Sequence, residues 1–420
     1  MDSPRKLLIG YDLCEDLTQI SCFSYKTMEP IPLSAQEGEE DYMLPTVLCL
    51  KTETKQWLIG EEAISCAAGG SGELVEQFLH KVQSEKEVEV GGQCYPVISL
   101  LEKYFRKTLT LVKNYFPTEQ ITKLVVTLRR TEPVLVDKIY EALSLLGVEK
   151  DRAVVMSHAG VALYYALSQE KSLWMNDVGL FEFHREGLFF YQIQINRRTK
   201  PMIAGLTRKD YSDILNINML KQKGSNPAYL FENIANNALY KQIITTLYLT
   251  GNGFEGEWAQ EVIRSLCMGR RVFLGQNLFT KGACYTAKEL TEDAALKEFI
   301  LLTDDMITSC VAVWVYRDTA FRELPLTQAG ENWYEVNKSV EVIQEKEAQM
   351  EIICKNIMTR ETVREIIPLG QFPKRPDRMT RLRINLTCRD KSTGIITITD
   401  LGFGDIYPAT WQSAEVIIHL

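Results

Sequence analysis

Histidine is scarce. Only four occur in 420 residues, His80, His158, His184 and His419, and no two stand at a metal-ligand spacing. The 10 cysteines are scattered and form no CxxC pair. These absences argue against a zinc or di-iron centre. Cysteines such as Cys49 in TVLCL and Cys388 in INLTC lie inside apolar runs. That placement points to buried free thiols in a reducing cytoplasm. No apolar run approaches the roughly 20 residues needed to span a bilayer, so no membrane partner is expected. The opening MDSPRKLLIGYDL lacks an apolar core and a small-residue cleavage site, so no secretory signal is expected. Positive charge is also short: 47 Lys and Arg against 55 Asp and Glu leave a net charge of -8. The sequence pI ≈ 5.4 offers nucleic acid no overall attraction.

What is present suits a globular chain of about two to three domains. Hydrophobic residues make up 45%, enough for a sizeable core. KLLIGYD, TQISCFSY, MLPTVLCLK and QWLIGEEA read as strands. Leu101, Phe105, Leu109, Val112 and Phe116 then recur at helical spacing. KLVVTL reads as a strand buried on both faces, with a helix starting at Thr131, Glu132 and Pro133 and ending at Gly147. AVVM and AGVALYYAL continue as strand and helix. VGLFEF and GLFFYQIQI form a hairpin around His184 to Glu186. Helical character is read from Asp210 to Tyr248, and LYLTGNGFEGEW as a strand ending in a glycine loop before a helix. A helix start after such a loop suits a phosphate or ribose, and equally a plain chain turn. Beyond Phe299 the texture is β, with Leu382, Ile384, Leu386 and Cys388 alternating with polar residues.

The first hairpin, IGYDLCEDLTQISCF, has the outline of an ATPase phosphate loop without its glycines. With LVVTLRRTEPVLVDKIYEALSLLGVEKDRAVVMSHAGVALYYAL, LYLTGNGFEGEW, QNLFTKGACYTA, ILLTDDMITSCVAV and the final hairpin pair, it gives an order of parts that resembles the DnaK class of heat-shock chaperones. The resemblance runs over nearly the whole chain and implies an α/β fold. An actin-like, ribonuclease H-like two-lobed ATPase head would occupy 1–300, with lobes at about 1–170 and 171–300. A linker at 301–305 would lead to an antiparallel β-sandwich, substrate-binding-like domain at 306–420 without the helical lid. It implies a divergent bacterial, cytoplasmic relative.

The catalytic positions depart from that pattern. Asp12 matches the family's first aspartate, but Cys14, Glu15 and Asp16 stand where it has glycine and small hydroxyl residues. Cβ atoms there restrict close approach of the backbone to phosphate. Added carboxylates beside phosphate cost ~1 to 4 kcal/mol per like-charge pair. Across the cleft Glu182 replaces an aspartate, His184, Arg185 and Glu186 replace glycines, and Gly187 remains. The family's conserved glutamate falls on Ser157 or His158, and its hairpin-supporting lysine on Lys81. Gly251 and Gly253 match the adenosine loop. The resemblance therefore implies a degenerate site and a non-hydrolysing protein-binding scaffold, with no firm cofactor. The alternative is an active ATP-dependent chaperone or actin-like ATPase using Asp12, Glu182 and Mg²⁺. Re-purposing would have Arg185 meet a phosphate and Glu15 with Asp16 hold a metal. Leu301, Leu302 and Asp304 would be the coupling linker. A protein or peptide partner is expected at the β-domain, at loops Ala312 to Arg322 and Gln344 to Gln349 or on the strand EVIQE. Lys374, Arg375, Arg378, Arg381 and Arg383 would face an acidic partner or solvent.

Overall fold

A computed structural model describes residues 6–34, 42–222, 224–345 and 348–420. The chain divides into two compact units. The first contains Met1–Gln194 and Leu206–Lys297, and the second contains Ile195–Gly205 and Glu298–Leu420.

The first unit is mixed α/β and is organised around two sheets of matching order. Strands β1 (Leu7–Leu13), β2 (Leu17–Ser24), β3 (Glu29–Pro32), β4 (Ile121–Leu128) and β5 (Ala153–Ser157) lie in the order β5-β4-β1-β2-β3. Here β1, β4 and β5 are parallel, while β2 turns back against β1 and β3 against β2. Strands β6 (Asp177–His184), β7 (Gly187–Asn196), β8 (Met202–Asp210), β9 (Ile244–Thr250) and β10 (Arg271–Leu274) repeat this as β10-β9-β6-β7-β8. Again the first hairpin is antiparallel, and β9 and β10 run parallel to β6. Strands buried on both faces read as unbroken apolar runs, which is why LLIGYDL and ITKLVVTL were legible.

Helices close the faces. In chain order α1 is Phe78–Ser84, α2 Val97–Tyr115, α3 Pro133–Leu145, α4 His158–Ser168, α5 Pro227–Leu239, α6 Gln260–Leu266 and α7 Leu278–Glu289. One apolar cluster joins β1 and β4 to α2 and α3 through Ile9, Tyr11, Leu101, Phe105, Val126 and Ile139. A second joins β6 and β9 to α5 and α6 through Phe181, Phe183, Phe231 and Leu249. Burying such aromatic side chains stabilises by about 1.5–3 kcal/mol each.

Several expectations are corrected. Asp210 to Tyr248 is not dominated by helix: it begins at the end of β8, contains α5 and runs into β9, because the apolar ITTLYLT is a buried strand. QWLIGEEA is strand only at Trp57–Ile59, and a helix starts at Gly60. The cap position of α3 is Glu132, with no side-chain cap bond, and Pro133 opens the helix.

The second unit contains β11 (Phe299–Leu302), paired with Met202–Gly205, and two four-stranded antiparallel sheets. One sheet has the order β13-β12-β15-β16, from β12 (Ser309–Arg317), β13 (Ala320–Thr327), β15 (Gln349–Asn356) and β16 (Thr362–Pro368). The other is β14-β17-β18-β19, from β14 (Asn337–Ile343), β17 (Arg381–Asp390), β18 (Thr393–Gly402) and β19 (Ser413–His419). Val311, Val313, Ile352 and Cys354 of one share a core with Leu382, Ile384, Ile396 and Ile398 of the other, a sandwich built on period-two alternation. Sequence reading did not identify β13 and β19.

Ala312 to Arg322 is mostly strand, with only Asp318 and Thr319 between β12 and β13. Gln344 to Gln349 includes residues 346 and 347, outside the described residues, as are 1–5 of the N-terminal stretch. Leu301 and Leu302 sit in β11, and Leu302 is buried; Asp304 follows it. Of the segment read as a linker, Leu301 and Leu302 are paired strand, and Thr303, Asp304 and Asp305 follow it. The basic cluster is not an open patch. Arg375 is buried against Asp400, Arg378 pairs with Glu345, and Arg381 and Arg383 share Glu341. No helix among the described residues is long and apolar enough to cross a membrane.

Candidate functional site

The two first hairpins and the ends of the parallel strands converge on one cleft, where open α/β sheets commonly hold their chemistry. Asp12 of β1 lies beside Thr127 of β4, and Glu182 of β6 lies beside Thr250 of β9. The two carboxylates thus occupy matching places in the two sheets. Between them stands His158, the first residue of α4, placed there because Ser157 caps that helix by accepting from the Gly160 N–H.

His158 Nε2 is 2.8 Å from Asp12 Oδ1, and Nδ1 is 2.7 Å from Glu182 Oε1. Both ring nitrogens face carboxylate oxygens, which an imidazolium satisfies by donating from each. Phe279 of α7 stacks on the ring at 3.7 Å. Tyr191 donates to Glu182 Oε2 at 2.8 Å. His184 lies 3.4 Å from Glu182 Oε1 through Nε2, and its Nδ1 accepts from the Glu186 N–H. Cys14 Sγ lies 3.4 Å from Asp12 Oδ1 and 3.6 Å from His158 Nε2. At the rim Arg129 grips Asp16 at 2.8 and 3.0 Å and reaches Glu186 at 3.7 Å.

Burial opposes charge on His158, but Asp12, Cys14 and Glu182 outweigh it and hold the imidazole protonated well above its ordinary range. Burial alone would raise Glu182, yet His158 and His184 bring it down to about 2. Burial, with Arg129 and His158 nearby, lowers His184 to about 4 despite Glu182. Burial and Asp12 push the Cys14 thiol up to about 11, so it is not an activated nucleophile.

These shifts fix a pH dependence. The contribution of His158 is full below its unfolded value of 6.5 and is lost as pH rises toward its raised folded value. Below 6.5 the unfolded chain protonates His184 while the folded chain does not until about 4, so stability falls with pH there. Glu182 loses its contribution as pH falls from 4.5 toward about 2. With EDTA present, stability from urea titrations should peak near pH 6.5. Each limb should fall by about 1.4 kcal/mol per pH unit. His184→Gln should flatten the acid limb. A steady rise in stability from about pH 5 to 8 would refute this assignment.

The remaining expected residues fall elsewhere or serve other ends. Glu15 turns out to accept from the His80 N–H at 2.9 Å, while Asp16 pairs with Arg129. Both carboxylates are thus engaged by these partners, and Arg185 does not line the cavity. Lys81 lies on α1 and does not line it either. Gly251 has φ +102°, and a Cβ there would stand 2.2 Å from the Phe183 carbonyl oxygen; one at Gly253 would strike the Phe183 ring. Close packing on Phe183 accounts for both glycines without a ligand. Gly187 has φ +129° and leaves no room for a Cβ against Ser212. The cavity remaining in the cleft measures about 50 Å³ and is lined by Asp12, Cys14, Gln19, Arg129, His158 and Glu182, among others. Asp12, Cys14 and His158 are the described residues whose donor atoms cluster closely enough to hold one metal ion.

Residues 29–304 match the model described as "Family of unknown function (DUF5716) C-terminal". The chain belongs to the DUF5716 family. In this DUF5716 protein the matched segment includes Arg129, His158 and Glu182 but starts after the β1–β2 hairpin, whose first strand carries Asp12 and whose turn carries Cys14. Residues 306–420 match "Domain of unknown function (DUF8552)", which covers the whole β-sandwich. No curated protein matches the chain. Sequence reading missed Arg129 and Tyr191 and had His158 only as one of two positions for the family's glutamate. The usable signal was a polar residue opening a helix directly after a buried strand, in VVMSHAG.

Proposed function

We propose that this chain is a DnaK-like protein with an actin-like, ribonuclease H-like head whose nucleotide cleft is closed by its own side chains. It then acts as a non-hydrolysing protein-binding scaffold. The repeated strand order, with a carboxylate at the same place in each first strand, supports the fold reading. One observation carries the loss of hydrolysis: His158 bridges Asp12 and Glu182 where phosphate and Mg²⁺ would have to enter. Mg²⁺ demands near-ideal octahedral oxygen geometry and keeps several waters. Carboxylates already committed to an imidazolium do not provide it, and small-molecule sites are roughly 300–1,000 Å³. The residues present do not fit a magnesium nucleotide.

Support for protein binding comes from the sandwich. Tyr316 and Phe321 face each other across the β12–β13 hairpin with ring centroids 5.2 Å apart, and both are more than half exposed. Exposed aromatic residues of this kind are enriched at interfaces.

Isothermal titration with ATP–Mg²⁺ should be flat to about millimolar nucleotide, three orders weaker than a micromolar site. No phosphate release should be detected. Micromolar binding, with turnover abolished by Asp12→Ala, would overturn the reading in favour of an active ATPase.

A further inference from the structure

We infer that Asp12, Cys14 and His158 form a zinc site, a binding activity separate from the nucleotide question. Three donor types meet there: a carboxylate oxygen, a thiol sulfur and an imidazole nitrogen, all buried. Zinc takes this mixture at about 2.0–2.3 Å per bond, which sets tetrahedral donor–donor distances of roughly 3.3–3.7 Å. Cys14 meets that range with Asp12 at 3.4 Å and with His158 at 3.6 Å. Asp12 and His158 are closer, at 2.8 Å, because a proton joins them. Exchanging that proton for a metal opens the pair by about half an ångström.

The surroundings are those of a metal ligand set. His158 turns its other nitrogen to Glu182, which Tyr191 holds in turn, a carboxylate–histidine arrangement that orients metal-binding imidazoles. The ring is also fixed against Phe279. A second observation is independent of the three ligands. Gln19 lines the same cavity, is 7% exposed, and its Oε1 has no hydrogen-bonding partner among the described residues. An acceptor left bare in a polar cavity suits a metal-bound water in the fourth position, since burying it unpaired is costly. Asp12 carboxylate and Cys14 thiolate together neutralise the dication. A thiolate in the set favours zinc over magnesium or calcium, which take oxygen.

The test uses the full chain stripped with EDTA and dialysed against Zn²⁺. One tightly held zinc per chain is expected, and X-ray absorption should show a single sulfur among nitrogen and oxygen scatterers. Co²⁺ should give a thiolate charge-transfer band that Cys14→Ser removes. Glu182→Gln, which leaves every ligand in place, should weaken zinc about 10–100-fold. Absence of stoichiometric zinc, a coordination shell without sulfur or with several sulfurs, or a Co²⁺ band that survives Cys14→Ser would overturn the inference. The X-ray absorption arm needs no variant, so it decides the question even if Cys14→Ser fails to fold. Zinc binding with flat ATP titrations, or the reverse, separates this site from the proposed loss of nucleotide binding.

Discussion

Replacing His158 with phenylalanine is expected to cost about 3–5 kcal/mol of folding stability. The variant keeps a ring against Phe279 but removes the cation between Asp12 and Glu182, which are 8% and 1% exposed. Two buried carboxylates then lose the cation between them, which leaves their charge uncompensated in a poor solvent. The intact cluster need not be a large net stabiliser, since bringing three charges out of water is itself costly. Breaking it by one member is what destabilises. Adding Asp12→Asn and Glu182→Gln to His158→Phe should therefore recover most of the loss. Urea unfolding near neutral pH measures both steps. A single-variant loss below about 1 kcal/mol, the level of an exposed pair, would show that the cluster is not charged as described.

The second large effect lies in the β-sandwich. Arg375→Met should destabilise that unit by about 3–5 kcal/mol. Asp400 is fully buried in β18 and accepts two bonds from Arg375 at 2.6 and 2.8 Å. The N–H and Oγ1 of Thr410 and the Gly402 N–H complete its shell. Side-chain hydrogen bonding to Arg375 holds the Asp400 carboxyl well below the usual carboxylate range, so acidification should mimic the variant. Stability from this pair is present above about pH 4, the ordinary aspartate value, and is lost as pH falls below it. Arg378→Ala is the contrasting case. Its pair with Glu345 is exposed on both sides, and the loss should stay under about 1 kcal/mol. Equal effects for the two arginines in guanidinium titrations would contradict the burial argument.

Residues that look alike in the sequence became different objects in three dimensions. Arg375, Arg378, Arg381 and Arg383 look alike in KRPDRMTRLR, yet one is a buried structural anchor and the others are rim pairs. The difference is set by Asp400, which follows Arg375 by 25 positions and arrives only when β18 folds against that segment. In the same way, Glu15 and Asp16 are adjacent in the chain but point to separate partners, His80 and Arg129.

The sequence by itself determined the elements that rest on local physics. Unbroken apolar strands such as β1 and β4, the helical spacing of α2 and the period-two alternation of β17 and β18 follow from which faces must be buried. It also determined that both first-hairpin turns carry side chains and not glycines, Cys14 to Asp16 in one and Arg185 with Glu186 in the other, because that is a matter of residue identity. Only the tertiary structure decided what those side chains do. Asp12, His158 and Glu182 come from β1, α4 and β6, and long-range packing brings an imidazole within 2.8 Å of both carboxylates. No spacing rule encodes that meeting. Its charge state and the three-donor cluster with Cys14 depend on distances the fold sets, since electrostatic and coordination energies change steeply over about an ångström.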